Sequence, residues 1–103
     1  GWTAARYTAG SGWQTYSTLY GGAAYYKDSL GVVHLRGLIK SGRINVPVFN
    51  LPGGYRPRTR NLFPVQTHPN AIGRVDIETN GNVTVIQGSS GWVSLYGVSF
   101  STH

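Results

Sequence analysis

Three arginines alternate with other residues in one short stretch of the chain. Arg56, Arg58 and Arg60 lie in the segment Tyr55–Asn61. If this segment is extended, the three guanidinium groups point to one face, with neighbours about 7 Å apart. Such a row could bind phosphates or acidic sugars through paired hydrogen bonds. A structural role is equally consistent with the pattern. The row could be an edge strand that its charges protect from aggregation, or a row of ion pairs between subunits.

Aromatic side chains form a second group with binding chemistry. The alternation from Trp13 to Tyr20 predicts a strand with Tyr16 and Tyr20 on one face and Trp13 on the other. Exposed rings can stack on the C–H faces of sugars, and tyrosine hydroxyls can form hydrogen bonds. The alternative is that these rings belong to the core. We add His34 and Arg36, on the mixed face of the following strand, as groups that could orient sugar hydroxyls.

Catalytic residues are not expected. Asp76 and Glu78 would project from one face of a strand about 7 Å apart, near the separation of a glycosidase pair. Arg74 shares that face, which favours a solvated ladder of charges instead. No nucleophile elbow or phosphate loop is present. No metal-ligand spacing relates the three histidines, His34, His68 and His103. We therefore expect no metal ion and no cofactor.

Composition favours strands and turns. The chain has 103 residues, enough for a single domain, with 15 glycines and 13% aromatic residues. Cysteine is absent, so no disulfide framework can form. The formal charge of +6 favours anionic partners without choosing among nucleic acids, phosphate polymers and acidic glycans. No apolar run reaches the length of a membrane span, and we expect no membrane insertion.

The segment from Lys27 to Lys40 is the predicted central strand. A turn at Asp28–Gly31 joins it to Ala23–Lys27 in a hairpin, with Asp28 bonded to its own backbone. The odd positions Val33, Leu35 and Ile39 would form an apolar face, and Gly37 on that face indicates close approach of another backbone or of a large aromatic residue from a facing strand.

Two further patterns predict local structure. Asn80-Gly81 between alternating runs predicts a hairpin with a type I′ turn. Its strands would place Val75 and Ile77 on the core side, opposite two valines, Val83 and Val85. A change of apolar phase at Gly97 predicts a β-bulge in a final strand from Trp92 to Phe100.

Turn signals divide the chain into seven or eight strands. Spacings of about 8–12 residues predict an all-β, antiparallel β-sandwich or barrel, of jelly-roll or Greek-key type. We interpret residues 1–12 as a lead-in segment or linker from a preceding part of the protein, and residues 13–103 as one β head domain.

Two longer motifs suggest a family. Tyr25-Tyr26-Lys27-Asp28, Gly31 to Gly42 with its Leu-Arg-Gly, and Phe49-Asn-Leu-Pro-Gly-Gly-Tyr-Arg-Pro57 together resemble the C-terminal receptor-binding module of tail fibres and baseplates of tailed bacteriophages. Later stretches fit the same module: Arg74-Val-Asp-Ile77, Asn80-Gly-Asn-Val83 and Trp92 to Phe100. The resemblance covers nearly the whole chain from about Trp13 onward.

The resemblance implies a homotrimeric β head, in the virion, that binds saccharides on the host surface. Its partners would be an envelope polysaccharide, the other two subunits, and the rest of the fibre or baseplate on the N-terminal side. The arginine row suggests a phosphate-bearing or acidic glycan. The alternatives are a structural cap that trimerises a fibre without receptor contact and, as a weaker alternative, a nucleic-acid-binding β-barrel.

Overall fold

The computed structural model describes all residues, 1–103, and consists of strands, turns and loops. The strands are β1 (Thr3–Ala4), β2 (Gln14–Thr15), β3 (Ala24–Lys27), β4 (Val32–Arg36), β5 (Leu38–Lys40), β6 (Pro47–Asn50), β7 (Asn61–Thr67), β8 (Ala71–Ile77), β9 (Asn82–Gln87), β10 (Val93–Ser94) and β11 (Ser99–Ser101). No helix is present that is long and apolar enough to cross a bilayer.

Two antiparallel sheets enclose the core. One sheet has four strands in the order β1-β3-β4-β11, and the other has seven in the order β2-β5-β10-β7-β8-β9-β6. The predicted all-β, antiparallel sandwich or barrel is therefore confirmed. The strand count is higher than the prediction because three strands have only two residues each and carry too little alternation to be recognised.

The predicted central strand is divided between the two sheets at Gly37. β4 pairs with β3 in the four-stranded sheet, whereas β5 pairs with β2 and β10 in the seven-stranded sheet. Gly37 has a φ of 125°. The predicted alternation nevertheless holds across this break, since Val33, Leu35 and Ile39 are all buried.

The neighbouring chain segment changes sheets at the same place. β10 lies in the seven-stranded sheet and β11 in the four-stranded sheet, joined by a turn in which the Val98 amide donates to the Leu95 carbonyl. The predicted bulge at Gly97 is therefore wrong: the phase change marks a turn between sheets. Two backbone hydrogen bonds hold the crossings together, from the Leu95 amide to Gly37 (2.8 Å) and from the Leu35 amide to Val98 (2.9 Å).

The core fills the space between the sheets. Seventeen buried apolar residues form one cluster, dominated by valine, leucine and isoleucine with Trp13 and Phe49 as the largest members. The predicted core position of Val75 and Ile77 opposite Val83 and Val85 is confirmed: Val75 pairs with Val85 and Ile77 with Val83, and all four side chains are fully buried. Burial of this alternating face is the main stabilising contribution.

The hairpin between β8 and β9 is confirmed, but its turn type is not. Type I′ requires a positive φ at both central residues, and Asn80 has none, whereas Gly81 has a φ of 93°. The Gly81 amide instead donates to the Glu78 carbonyl at 2.9 Å. The loop is thus a longer turn that ends on a glycine in the left-handed region.

Residues 1–12 are part of the folded domain, which corrects the linker interpretation. β1 pairs with β3, and the Thr8 amide donates to the Val48 carbonyl. Ser11 is buried. The Tyr7 hydroxyl lies 2.9 Å from the Thr15 hydroxyl and accepts a hydrogen bond from the Ala23 amide. These contacts could not be predicted from the sequence, because the small and polar residues of this segment show no apolar alternation.

Candidate binding groove

The outer face of β4 and β5 forms the floor of a surface groove. Since the odd positions of these strands are buried, the even positions His34, Arg36, Leu38 and Lys40 point outward. Leu38 lines one cleft, and His34 and Arg36 line a second. Gly37 separates the two clefts along this line, so the crossing between sheets also divides the floor of the groove.

The first cleft, which we call the tyrosine cleft, has a volume of about 350 Å³. Its walls include Tyr16, Tyr20, Trp92 and Tyr96. The Tyr16 and Tyr20 rings meet edge to face with centroids 5.9 Å apart, and their exposed fractions are 36% and 49%. Polar groups of Gln66 and Asn70 also line the cleft. It therefore combines aromatic surface with amide and hydroxyl groups.

The second cleft, the tryptophan cleft, has a volume of about 370 Å³. Three rings and one guanidinium group contact one another in series along its wall. The Arg36 guanidinium carbon lies 4.4 Å from the centroid of a Trp2 ring. Trp2 contacts Tyr26 edge to face at 4.5 Å, and Tyr26 stacks on His34 at 4.8 Å between centroids. These contacts fix the positions of the rings on the cleft wall.

The Asp28 carboxylate holds the His34 imidazole, which is the last group in this series of contacts. Asp28 Oδ2 lies 2.9 Å from His34 Nε2, and Asp28 Oδ1 accepts hydrogen bonds from the Leu30 and Val32 amides. The hydrogen bond with His34, aided by these two amides, lowers the pKa of Asp28. The predicted bonding of Asp28 to its own turn is confirmed, and the same carboxylate orients His34.

Tyr96 belongs to both clefts and joins them. It is 51% exposed, lies in the turn between β10 and β11, and donates a hydrogen bond from its hydroxyl to the Tyr20 carbonyl. We call the two clefts with their shared Tyr96 the aromatic groove.

Four of the eight predicted site residues line this groove. Tyr16 and Tyr20 lie in the tyrosine cleft, and His34 and Arg36 lie in the tryptophan cleft. The two tyrosines meet through a turn in which the Tyr20 amide donates to the Ser17 carbonyl, because β2 ends at Thr15. The predicted strand from Trp13 to Tyr20 is therefore wrong, although its pairing of the rings is right.

Trp13 is not a binding platform. It is only 4% exposed, and its indole N–H points to the carbonyls of Arg43 (3.2 Å) and Val46 (3.3 Å). The ring covers Gly42, where a Cβ atom would lie 1.8 Å from it. Trp13 therefore belongs to the core, where burial of its large apolar ring stabilises the fold.

The arginine row does not form, because residues 51–60 are irregular and β7 begins at Asn61. Arg56 Nε donates to the Leu51 carbonyl at 2.8 Å, and its Nη2 donates to Asn50 Oδ1 at 3.1 Å. Arg60 Nε donates to Asp76. Arg58 is exposed. None of the three lines the aromatic groove.

Asp76 is held between two arginines. Its carboxylate is fully buried and accepts hydrogen bonds from Arg60 Nε (2.8 Å), Arg74 Nε (2.7 Å) and Arg74 Nη2 (2.8 Å). Burial alone would raise the pKa of Asp76, but the hydrogen bonds from Arg74 and Arg60 outweigh it and lower the pKa. In place of the expected solvated row of charges, Asp76 is buried between Arg60 and Arg74, an arrangement that we call the clamp. Glu78 Oε1 lies at the edge of the clamp, 3.7 Å from Arg60 Nη1.

Besides Tyr26, which was not assigned to the site, the sequence analysis missed three aromatic residues of the groove: Trp2, Trp92 and Tyr96. Trp2 lies in the segment interpreted as a linker, and the other two lie in the segment interpreted as one core strand. The available signal was Gly97, because glycine favours turns and the residues of a turn between strands lie at the surface.

No group of three or more histidine, aspartate or glutamate side chains is placed to hold a metal ion. Comparisons with protein-family models, curated proteins and solved structures found no match to this chain. The resemblance to phage tail modules therefore stays a prediction, and the groove itself must carry the functional argument.

Proposed function

We propose that this protein is a non-enzymatic adhesion module of a bacteriophage tail that binds saccharide on the host surface. The observation that carries the proposal is the aromatic groove, in which exposed rings and hydrogen-bonding side chains share one wall. Aromatic faces fit the C–H faces of sugars, while amides and hydroxyls fit their hydroxyl groups. The phage assignment rests on the sequence resemblance.

The dimensions of the groove favour an oligosaccharide over a single sugar. Each cleft is at the small end of the usual range for ligand sites, about 300–1,000 Å³, and Tyr96 connects the two. Open, shallow sites bind weakly one at a time. Trimerisation and multiple fibres would supply the avidity that a single groove lacks.

The carboxylate arrangement supports a binding function over glycan cleavage. Asp76 is fully buried and accepts three hydrogen bonds from two arginines, so it neither reaches a substrate nor has the raised pKa of a general acid. The glycosidase alternative therefore loses one of its two residues.

The proposal is tested by titration calorimetry with soluble oligosaccharides from host envelopes. We expect Tyr96→Ala and Tyr20→Ala each to weaken binding about tenfold, since a stacked ring contributes about 1.5 kcal/mol. The matched control is Leu30→Ala, an exposed apolar truncation outside the groove. Unchanged affinity in both tyrosine variants, with the fold retained by circular dichroism, would reject the groove as the site.

A structural trimerisation cap is the second candidate, and one surface favours it. Leu62 and Ile72 are 61% and 72% exposed. They lie on the same outer face of β7 and β8, where Leu62 pairs with Asp76 and Gln66 pairs with Ile72. Light scattering on the Leu62→Ser, Ile72→Ser double variant tests this candidate. A trimer that becomes monomeric, combined with no glycan binding by the wild type, would support the cap.

A further inference from the structure

We propose that the ligand of the aromatic groove is an anionic glycan whose acidic groups pair with Arg36 and Lys40. The inference rests on the proposed saccharide-binding function and specifies its chemical class. It moves the anion-binding role from the Arg56–Arg60 segment to two cations that the fold places beside the rings.

Arg36 and Lys40 are held against aromatic rings and have no carboxylate partner. Arg36 stacks over Trp2 at 4.4 Å, and Lys40 Nζ lies 5.4 Å from the Tyr16 centroid. The ion pairs of the chain use only His34, Arg60 and Arg74 as cations. A stacked guanidinium keeps the N–H donors along its edge available, which suits bidentate binding of a carboxylate or phosphate.

Acidic side chains are almost excluded from the groove. The chain has only three. Asp76 and Glu78 contact Arg60 on the β8 side of the molecule, and Asp28 contacts His34. The positive charge of Arg36 and Lys40 is therefore uncompensated, and a neutral ligand would leave it unused. An anionic ligand gains charge-assisted hydrogen bonds from these two cations.

The two cations are separated along the outer face of β4 and β5: Arg36 lines the tryptophan cleft, and Lys40 lies beside Tyr16, next to the tyrosine cleft. They lie four residues apart on β4 and β5, which corresponds to at most about 13 Å of extended chain. Leu38 lies between them and faces the tyrosine cleft. This outer face therefore alternates charge, apolar surface and charge, and this pattern fits a polymer whose acidic groups are separated by uncharged sugar rings.

The same pattern disfavours single-stranded nucleic acid. Such a strand carries a phosphate on every nucleotide, and its binding channels supply cations along the whole backbone. Most other cations of this chain are engaged elsewhere: Lys27 donates to Gly54, Arg43 to Gly10 and Arg56 to Leu51. Two cations, Arg36 in the groove and Lys40 beside it, match a sparsely charged polymer better.

The test measures binding to an array of bacterial envelope oligosaccharides that contains acidic and neutral members. The best binder is then titrated before and after its acidic groups are removed, by carboxyl reduction for uronic acids or by phosphatase for phosphomonoesters. We expect an acidic best binder and at least a tenfold loss of affinity after removal. We also expect weaker binding at 0.5 M salt than at 0.1 M, because partly exposed charges are screened.

Charge variants locate the effect. Arg36→Gln and Lys40→Gln should each weaken binding of the acidic oligosaccharide at least fivefold. Arg36→Lys, which keeps the charge over Trp2, should retain more affinity than Arg36→Gln. The control Arg58→Gln removes one exposed positive charge outside the groove and should change affinity less than twofold.

The outcomes separate this inference from the function on which it rests. A neutral best binder, or equal losses in Arg58→Gln and Arg36→Gln, overturns the anionic assignment and leaves saccharide binding standing. Tighter binding of a 12-nucleotide oligothymidine than of any glycan overturns it in favour of nucleic acid. Absence of binding to every glycan on the array rejects the proposed function and the inference with it.

Discussion

The backbone of Gly37 lies directly against that of Ala23: a Cβ atom on Gly37 would be 2.7 Å from both the nitrogen and the Cα of Ala23. Gly37 also has a φ of 125°, which side-chain-bearing residues rarely adopt. We expect Gly37→Ala to reduce the free energy of unfolding by about 3 kcal/mol. Denaturant unfolding measures this loss.

Gly53→Ala is the matched control for that substitution. A Cβ atom on Gly53 would have no heavy atom within 4 Å, and the residue has no positive φ. We expect a change of less than about 0.5 kcal/mol. Equal effects of the two substitutions would show that close packing at Gly37 is not required at the crossing between sheets.

Trp13 should behave as a core residue. Trp13→Ala removes a ring that is 4% exposed and that covers Gly42, so we expect a loss of about 3–5 kcal/mol in unfolding free energy. Tyr16→Ala, at 36% exposure, should cost about 1 kcal/mol or less. If thermal denaturation gave Trp13→Ala the smaller effect, the placement of Trp13 in the core would be contradicted.

Arg56 should contribute to stability and Arg58 should not. Arg56 joins the Leu51 carbonyl to Asn50 and lies against Gly81, where a Cβ atom would be 2.6 Å from its Nε. We expect Arg56→Ala to cost about 1 kcal/mol and Arg58→Ala less than about 0.5 kcal/mol. Urea titrations at one salt concentration compare them. A larger loss for Arg58→Ala would contradict the different contacts of these two side chains.

Asp76 should make stability fall in acid. Its folded-state pKa is lowered below 3.8, so its contribution is complete above that pH and is lost as the pH falls through the folded-state pKa. Urea unfolding from about pH 5 to pH 2 should show this loss. Asp76→Asn should cost about 2 kcal/mol at pH 7 and give a shallower decline.

The acid decline should not vanish in Asp76→Asn. Asp28 also has a lowered pKa, through its hydrogen bond with His34, and loses its contribution in the same direction. Identical pH profiles for wild type and Asp76→Asn would show that the clamp with Arg60 and Arg74 contributes nothing.

Local patterns made much of the fold predictable. Alternation identified the buried faces of β4, β5, β8 and β9, because one buried face imposes a period of two on a strand. Asn80-Gly81 located a hairpin. The sheet exchange at Gly37 could not be predicted, since alternation continues through it and only the pairing partners change.

Only half of the groove could be predicted, because local spacing does not reveal contacts between distant parts of the chain. Tyr16 and Tyr20 were paired by their spacing, but Trp2, Tyr26 and Tyr96 meet through contacts between distant parts of the chain. The arginine row failed because its spacing assumed an extended segment, whereas the partners of Arg56 and Arg60 lie on other elements.

The order of the four-stranded sheet affects how the chain folds. β11 pairs with β4 through Phe100 and Val33, and β1 pairs with β3 through Thr3 and Tyr25. Closing this sheet requires contacts between segments more than sixty residues apart, so loop closure precedes most of the stabilising contacts and folding should take milliseconds to seconds. During synthesis, the sheet stays incomplete until Ser101 has left the ribosome, so β4 lacks its partner strand while only the preceding part of the domain is exposed.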